Sequence, residues 1–307
     1  MSTEANKRLP DGVRGALLMT ASAILFALMA ITIRLAADEL HPFAIAFFRN
    51  FFGLLFALPL LYGSTFSLRT NRLGLYFVRC IIGLSAMLCG FWALVHLPLA
   101  QAVALSYTTP LFVTILAVII LREVVRLRRW TAVAIGFVGA LIIVRPGAVE
   151  MSDAALIALL SAALAASAAI SIKFLSRTEP TGAIVIWMVL IMTPMSLLPA
   201  LFVWTWPSPT VWVWLLLTGF LGTTGHLAMT GAYKLGDASA LTPYNFLQLP
   251  VVAMVAWILF GETVDRWTIM GAGIIFAATA YIAHREAVLA RPAVTDSDVG
   301  GDQMANR

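Results

Sequence analysis

Charge is what this sequence has least of. Asp, Glu, Lys and Arg make up only 11% of its 307 residues, while 61% are hydrophobic. Soluble globular domains carry about 25% charged residues, so this deficit excludes an ordinary soluble fold. Cysteine is scarce too. Cys80 and Cys89 lie on one apolar run; a helix would separate them by about 13 Å of rise, too far to bridge each other. They read as small core residues. The four histidines are scattered along the chain, and no Asp or Glu falls in the middle of an apolar run. A metal centre needs clustered ligands, and a membrane-embedded enzyme needs paired acids or a nucleophile beside a base. The sequence therefore gives no metal and no enzyme reading. A channel fits poorly as well, because no ring of charges or filter-like glycine run is present.

What the sequence does have is long apolar runs. A helix rises about 1.5 Å per residue, so about 20 residues cross a hydrocarbon core of about 30 Å. Ten such spans are expected, at 13–35, 42–62, 75–96, 99–121, 130–144, 153–175, 183–206, 211–233, 239–260 and 267–284. They are far longer than the strands of a membrane barrel, which alternate over about ten residues. The expected fold is an all-α polytopic membrane protein. The polar ends, 1–12 and 286–307, read as disordered cytoplasmic tails.

Lys and Arg set the orientation. With the N-terminus inside, fifteen cations face the cytoplasm: Lys7, Arg8, Arg14, Arg69, Arg72, Arg122, Arg126, Arg128, Arg129, Lys173, Arg177, Lys234, Arg285, Arg291 and Arg307. Three face out: Arg34, Arg145 and Arg266. The positive-inside rule then puts both termini in the cytoplasm of an inner (plasma) membrane protein. The net charge of +5 expresses this bias and does not point to nucleic acid. The partners expected are the lipid bilayer, a small-molecule substrate and a coupling proton or exchange substrate.

The chain also matches itself at an offset of 139. Leu17 falls on Leu156, Ser22 on Ser161, Ala27 on Ala166, Ile33 on Ile172 and Arg34 on Lys173. Gly83 falls on Gly222 and Glu123 on Glu262; after a two-residue gap, Trp130 falls on Trp267 and Gly136 on Gly273. Two five-helix repeats are expected, over 13–145 and 152–285. Five is odd, so the second must be inverted, and inverted repeats mark transporters that bind substrate near the midplane between the halves.

Two stretches show the symmetry most plainly. "SYTTPLFVTILAVIILRE" (106–123) and "TPYNFLQLPVVAMVAWILFGE" (242–262) each have a polar, proline-bearing start, an apolar run and a terminal Glu. Pro110, Pro243 and Pro250 remove backbone donors, and in lipid such breaks belong in protein interior or beside a water-filled cavity. Two readings stay open. The polar segments at 106–109 and 242–248 line a cavity, with helices four and nine as its floor, or their hydroxyls bond their own backbone at an ordinary kink. Glu123 and Glu262, at helix ends, are expected to fix nearby loops or N–H groups.

The fourth span with its sequel "RRWTAVAIGFVGALIIVRPG", and its counterpart "FGETVDRWTIMGAGIIFAATAYI", resemble the drug/metabolite transporter superfamily, EamA type. The resemblance covers essentially all ten spans. The family pattern is a helix with an early Pro, a terminal Gly-Glu, then a Gly-containing helix. Gly261-Glu262 keeps it, whereas the first half has Arg122-Glu123. The resemblance implies ten helices around a central cavity, no cofactor, and movement of small metabolites such as amino acids and related compounds.

Candidate substrate-binding residues are Arg49, Trp92, Tyr107, His226, Tyr244, Asn245 and Gln248. Arg49 lies about 10 Å below the outer end of its helix, where a charge is costly and functional by default. Snorkelling to the interface is the competing reading. The repeat puts Met188 at the matching place, so the fold does not demand Arg there. Asn50 beside it reads as packing, and Arg79, a turn inside its helix end, as snorkelling. His226 reads as a hydrogen-bonded structural residue or a proton site. Tyr244 and Gln248 are four apart and would share a helix face. Trp92 and Phe91 could stack on a planar substrate, while Trp204, Trp206, Trp212 and Trp214 read as an interfacial belt. With no buried acid to partner Arg49, the first reading is an exporter of an amino-acid-like or other carboxylate-bearing compound working by alternating access. The alternative is an uptake carrier for a nucleotide-, vitamin- or S-adenosylmethionine-like metabolite.

Overall fold

The apolar runs fold as helices, because backbone groups without water must pair within their own segment. The computed structural model describes residues 10–62, 70–122, 127–145, 152–175, 178–179, 181–235, 241 and 244–290. Pro243, Glu123 and the terminal segments 1–9 and 291–307 lie outside the described residues. Eleven helical segments are described: α1 (Asp11–Ala36), α2 (Pro42–Tyr62), α3 (Leu73–His96), α4 (Leu99–Ser106), α5 (Thr109–Leu121), α6 (Leu127–Val144), α7 (Asp153–Leu175), α8 (Thr181–Leu201), α9 (Pro209–Leu235), α10 (Gln248–Phe260) and α11 (Arg266–Ala290). Five are long and apolar enough to cross a bilayer, counting α4 and α5 as one span, and five more are shorter apolar helices. The chain is a polytopic α-helical membrane protein. Large apolar side chains such as Ile81, Ile135, Leu160 and Trp257 are exposed around the bundle, as lipid contact requires.

Several boundaries differ from expectation. The fourth span is broken at Tyr107–Thr108, and Pro110 restarts it in the first turn of α5, where its missing N–H costs nothing. The seventh span ends at Leu201 instead of 206; Pro194 and Pro199 lie within its last turns, each removing a backbone donor. The last helix runs to Ala290, past the expected 284, on good helix formers such as Glu286, Leu289 and Ala290.

The contacts follow an exchange of halves. α1 packs most extensively on α9, and α3 on α7; these are one contact written twice. α2 on α8 and α6 on α11 are each their own mates. A single hydrogen bond repeats the pattern. Ser22 Oγ donates to the Gly225 carbonyl at 2.9 Å, and Ser161 Oγ to the Ala86 carbonyl at 2.7 Å. Both donors and both acceptors are 139 apart, so the inverted repeat extends to side-chain bonding.

The seam between α6 and α11 depends on two glycines. A Cβ at Gly271 would sit 2.4 Å from the Gly139 carbonyl oxygen, and one at Gly139 would sit 2.8 Å from that of Gly271. Small residues let membrane helices approach this closely. Gly271→Val should cost about 3 kcal/mol by overpacking, seen as a lower thermal unfolding midpoint of the purified protein.

The departure from Gly-Glu also has a structural consequence. Gly261 ends α10 in the left-handed region at φ 67°, and Arg122, its repeat mate, ends α5 at φ 54°. A left-handed non-glycine residue costs about 1 kcal/mol. Arg122→Gly should therefore stabilise the protein by about that amount, measured the same way.

Candidate functional site

A cavity of about 410 Å3 lies between the halves. Its lining runs from Leu94 and Ala158, near the end of the bundle where α3 finishes, to Arg79 and Ile172, near the end where α3 begins. Small-molecule sites span about 300–1,000 Å3. The walls are mostly apolar, with Phe26, Met29, Met87 and Phe91, and its polar groups include Arg49, Asn50, Arg79, His226 and Gln248.

α2 carries Arg49 into this space. The side chain is buried, 6% exposed, so it does not snorkel. Its Nη1 donates to Asn50 Oδ1 at 3.0 Å; Asn50 Nδ2 donates to Ser196 Oγ at 3.2 Å, and Ser196 Oγ donates to the Thr193 carbonyl at 2.9 Å. Asn50 was expected to be packing, but it orients the guanidinium and lines the cavity itself. Adjacent helical residues diverge by only about 100°, so both can reach one wide cavity. The missed signal was Ser196 inside an apolar span, a partner for a buried amide.

Arg79 corrects a second expectation. It is 7% exposed and points into the cavity instead of snorkelling. Its position one turn inside the helix allowed both readings, and the rotation of α3 against α8 decides between them. His226 lines the cavity from α9, with its ring edge-on to Phe26 at a centroid distance of 5.0 Å. Gln248 lines it from the first turn of α10.

The other candidates lie elsewhere. The Tyr107 hydroxyl donates to the Asn245 carbonyl at 3.1 Å, and its ring lies 4.2 Å from that of Phe246. It links the two helix breaks and does not line the cavity. Tyr244 is exposed, and a turn at Phe246–Leu247 ends the face it was expected to share with Gln248. The Asn245 backbone, not its side chain, meets Tyr107. Trp92 stacks on His96 at 3.9 Å near the end of α3. At 106–109 the hydroxyls close on their own backbone: Ser106 Oγ on Val103, Thr108 Oγ1 on Leu105 and Thr109 Oγ1 on Ser106, each at 2.7 Å. Only Ser106 among them lines the cavity, so this stretch is a kink with one exposed rung. Pro250, in the first turn of α10, lines a separate groove against α11. Trp204 and Trp212 pack on Phe48, whereas Trp206 is exposed as a belt residue would be.

Where α1 and α3 finish, one ion pair ties the bundle. Arg34 donates to the carbonyls of Leu94 at 2.8 Å and Leu97 at 3.1 Å, and to that of Val95, while its Nη2 lies 3.1 Å from Glu262 Oε1. Glu262 Oε2 accepts the Leu99 N–H at 2.8 Å, capping α4. The expected role of Glu262 is therefore visible. It joins α1, the α3–α4 junction and the end of α10.

Two inverted halves around a cavity with buried polar anchors are the architecture of small-molecule transporters. The EamA-like transporter family model matches residues 13–145 and 153–283, and the chain belongs to that family. A riboflavin transporter of Vibrio cholerae is 32% identical, covering 89% of this chain and 94% of that protein. An S-adenosylmethionine uptake transporter of Rickettsia prowazekii is 30% identical over 81% and 85%. A pseudopaline exporter of Pseudomonas aeruginosa is 28% identical over 86% and 94%. A crystal structure at 16% identity superposes with a TM-score of 0.64, covering 90% of this chain and 99% of that one, which supports the fold. The chain is a transporter of small metabolites in the drug/metabolite transporter superfamily.

Proposed function

We propose that this carrier takes up a vitamin- or nucleoside-like metabolite across the inner membrane by alternating access, with both termini in the cytoplasm. The observation that carries this is the cavity's division of labour. Phe26, Phe91 and two methionines form a wall suited to a planar ring, and Asn50, Gln248 and His226 offer hydrogen bonds to a heterocycle edge. The relatives support the same choice. Two of the three above are named for riboflavin or S-adenosylmethionine, and one of those for uptake. They favour the uptake alternative over an exporter of an amino-acid-like compound. That exporter reading keeps one specific support, the pseudopaline exporter, together with buried arginine in the cavity.

Labelled riboflavin and S-adenosylmethionine should be supplied to cells overproducing the intact protein or Arg49→Gln. The proposal expects one label to accumulate inside only with the intact protein. Loss of label to the medium would turn the direction to export. Equal accumulation with both proteins would make Arg49 structural.

A further inference from the structure

Among the described residues Arg79 has no counter-charge, and its buried Nε has no hydrogen-bond partner. Its Nη1 is 3.8 Å from Met192 Sδ, a weak acceptor, and the Cys80 thiol is its other polar neighbour. Among the described residues no carboxylate lies within ion-pair distance of Arg79 or Arg49. Glu179, just before α8, accepts from Thr70 Oγ1 at 2.7 Å and from the Tyr76 hydroxyl at 3.4 Å. Two uncompensated buried cations in one cavity are expensive. His226, within electrostatic reach of both guanidiniums, contributes no negative charge.

The backbone leaves room for both arginines. A Cβ at Gly83 would lie 3.0 Å from Arg79 Nη1, and a Cβ at Gly222 would lie 3.0 Å from Arg49 Nε. Gly83 and Gly222 are repeat mates. The same glycine position in the two halves thus faces two different arginines, Arg79 on α3 and Arg49 on α2, both from the first half. Arg79 lines the cavity with a guanidinium whose Nε, among the described residues, finds no acceptor within the protein.

We propose that Arg79 and Arg49 together form an anion subsite that receives the oxyanion of the carried metabolite, a carboxylate or a phosphate. The inference deepens the reading above, on which it rests for the ring but not for the anion. A planar fork can give two parallel bonds to such a group, and an anion between two guanidiniums removes the charge penalty that the empty cavity carries.

Thermal unfolding of the full-length protein, purified in detergent, tests this with a matched pair of probes. Riboflavin and flavin mononucleotide share a ring and differ by one phosphate. Protection by the mononucleotide should begin at a concentration about tenfold below that for riboflavin. In Arg79→Gln that ratio should fall to about one, and in Arg79→Lys, which keeps the charge without the fork, it should fall partway. An unchanged ratio in both variants overturns the proposal, as does equal weakening of both flavins. If Arg79→Gln does not elute as a single species, Arg79→Lys decides by the same ratio. If neither flavin protects, the ring reading fails by itself, and inorganic phosphate and citrate then decide. Protection of the intact protein that Arg79→Gln loses upholds the subsite, and the more effective anion names its chemistry. No protection by either anion overturns it.

Discussion

Replacing Arg49 with Ala should raise the KM for transport by about 10- to 150-fold, with the protein still folded. Arg49 is buried in the cavity and spends one donor on Asn50, so its other N–H groups are available to substrate. A charge-assisted hydrogen bond is worth about 1.5–3 kcal/mol, which sets that range. Its removal also leaves Asn50 Oδ1 without a donor, a smaller loss within the protein. Arg49→Lys should recover only part of the affinity, because an ammonium on a flexible stem cannot reproduce the fork. Saturation curves in proteoliposomes, at equal protein, measure this. A lower maximal rate with unchanged KM in Arg49→Ala would assign Arg49 to the conformational cycle instead of to substrate.

Glu262→Ala should be the most damaging change outside the cavity. One carboxylate pairs with Arg34 and caps the first turn of α4. Both side chains are mostly buried, with 24% and 18% exposure for Arg34 and Glu262. Losing the pair and the cap together should cost about 3 kcal/mol, seen as a clear fall in the unfolding midpoint. Glu262→Gln separates the two contributions. Its amide oxygen can still accept the Leu99 N–H, so the cap survives while the charge pair does not. Arg34 keeps three carbonyl acceptors in either variant, so the Ala and Gln variants should differ mainly by the cap, about 1 kcal/mol. Equal midpoints for the two variants would mean that the cap contributes nothing.

The fold was legible because its causes are local. Apolar length sets the spans, proline sets the breaks, and an offset of 139 that survives to Ser22, Ser161, Gly83 and Gly222 sets the symmetry. Arg49 was legible because charge inside an apolar run is costly. What the sequence did not reveal is rotation about helix axes. Arg79 sits at a depth where snorkelling and burial look alike, and only the packing of α3 against α8 turns it inward. Gly83, one turn on, was the available signal, since its mate Gly222 faces Arg49. Asn50 was dismissed for being next to Arg49, when its bond to Ser196 makes it the hinge of the cluster. Tyr244 and Gln248 were paired by helical spacing, but the turn at Phe246–Leu247 interrupts the helix between them. The same break hands the Asn245 carbonyl to Tyr107, a bond across the repeat that no residue spacing implies.

The cavity between the inverted halves should bind a small metabolite and open to one side at a time. Counterflow in proteoliposomes tests it most directly. Vesicles loaded with unlabelled riboflavin, or in parallel with unlabelled S-adenosylmethionine, are diluted into a trace of the labelled compound. A carrier predicts transient, saturable accumulation of label above equilibrium in one of the two sets, with a half-saturation concentration raised by about 10- to 150-fold in Arg49→Ala. Flux that rises linearly with concentration and never overshoots would contradict alternating access.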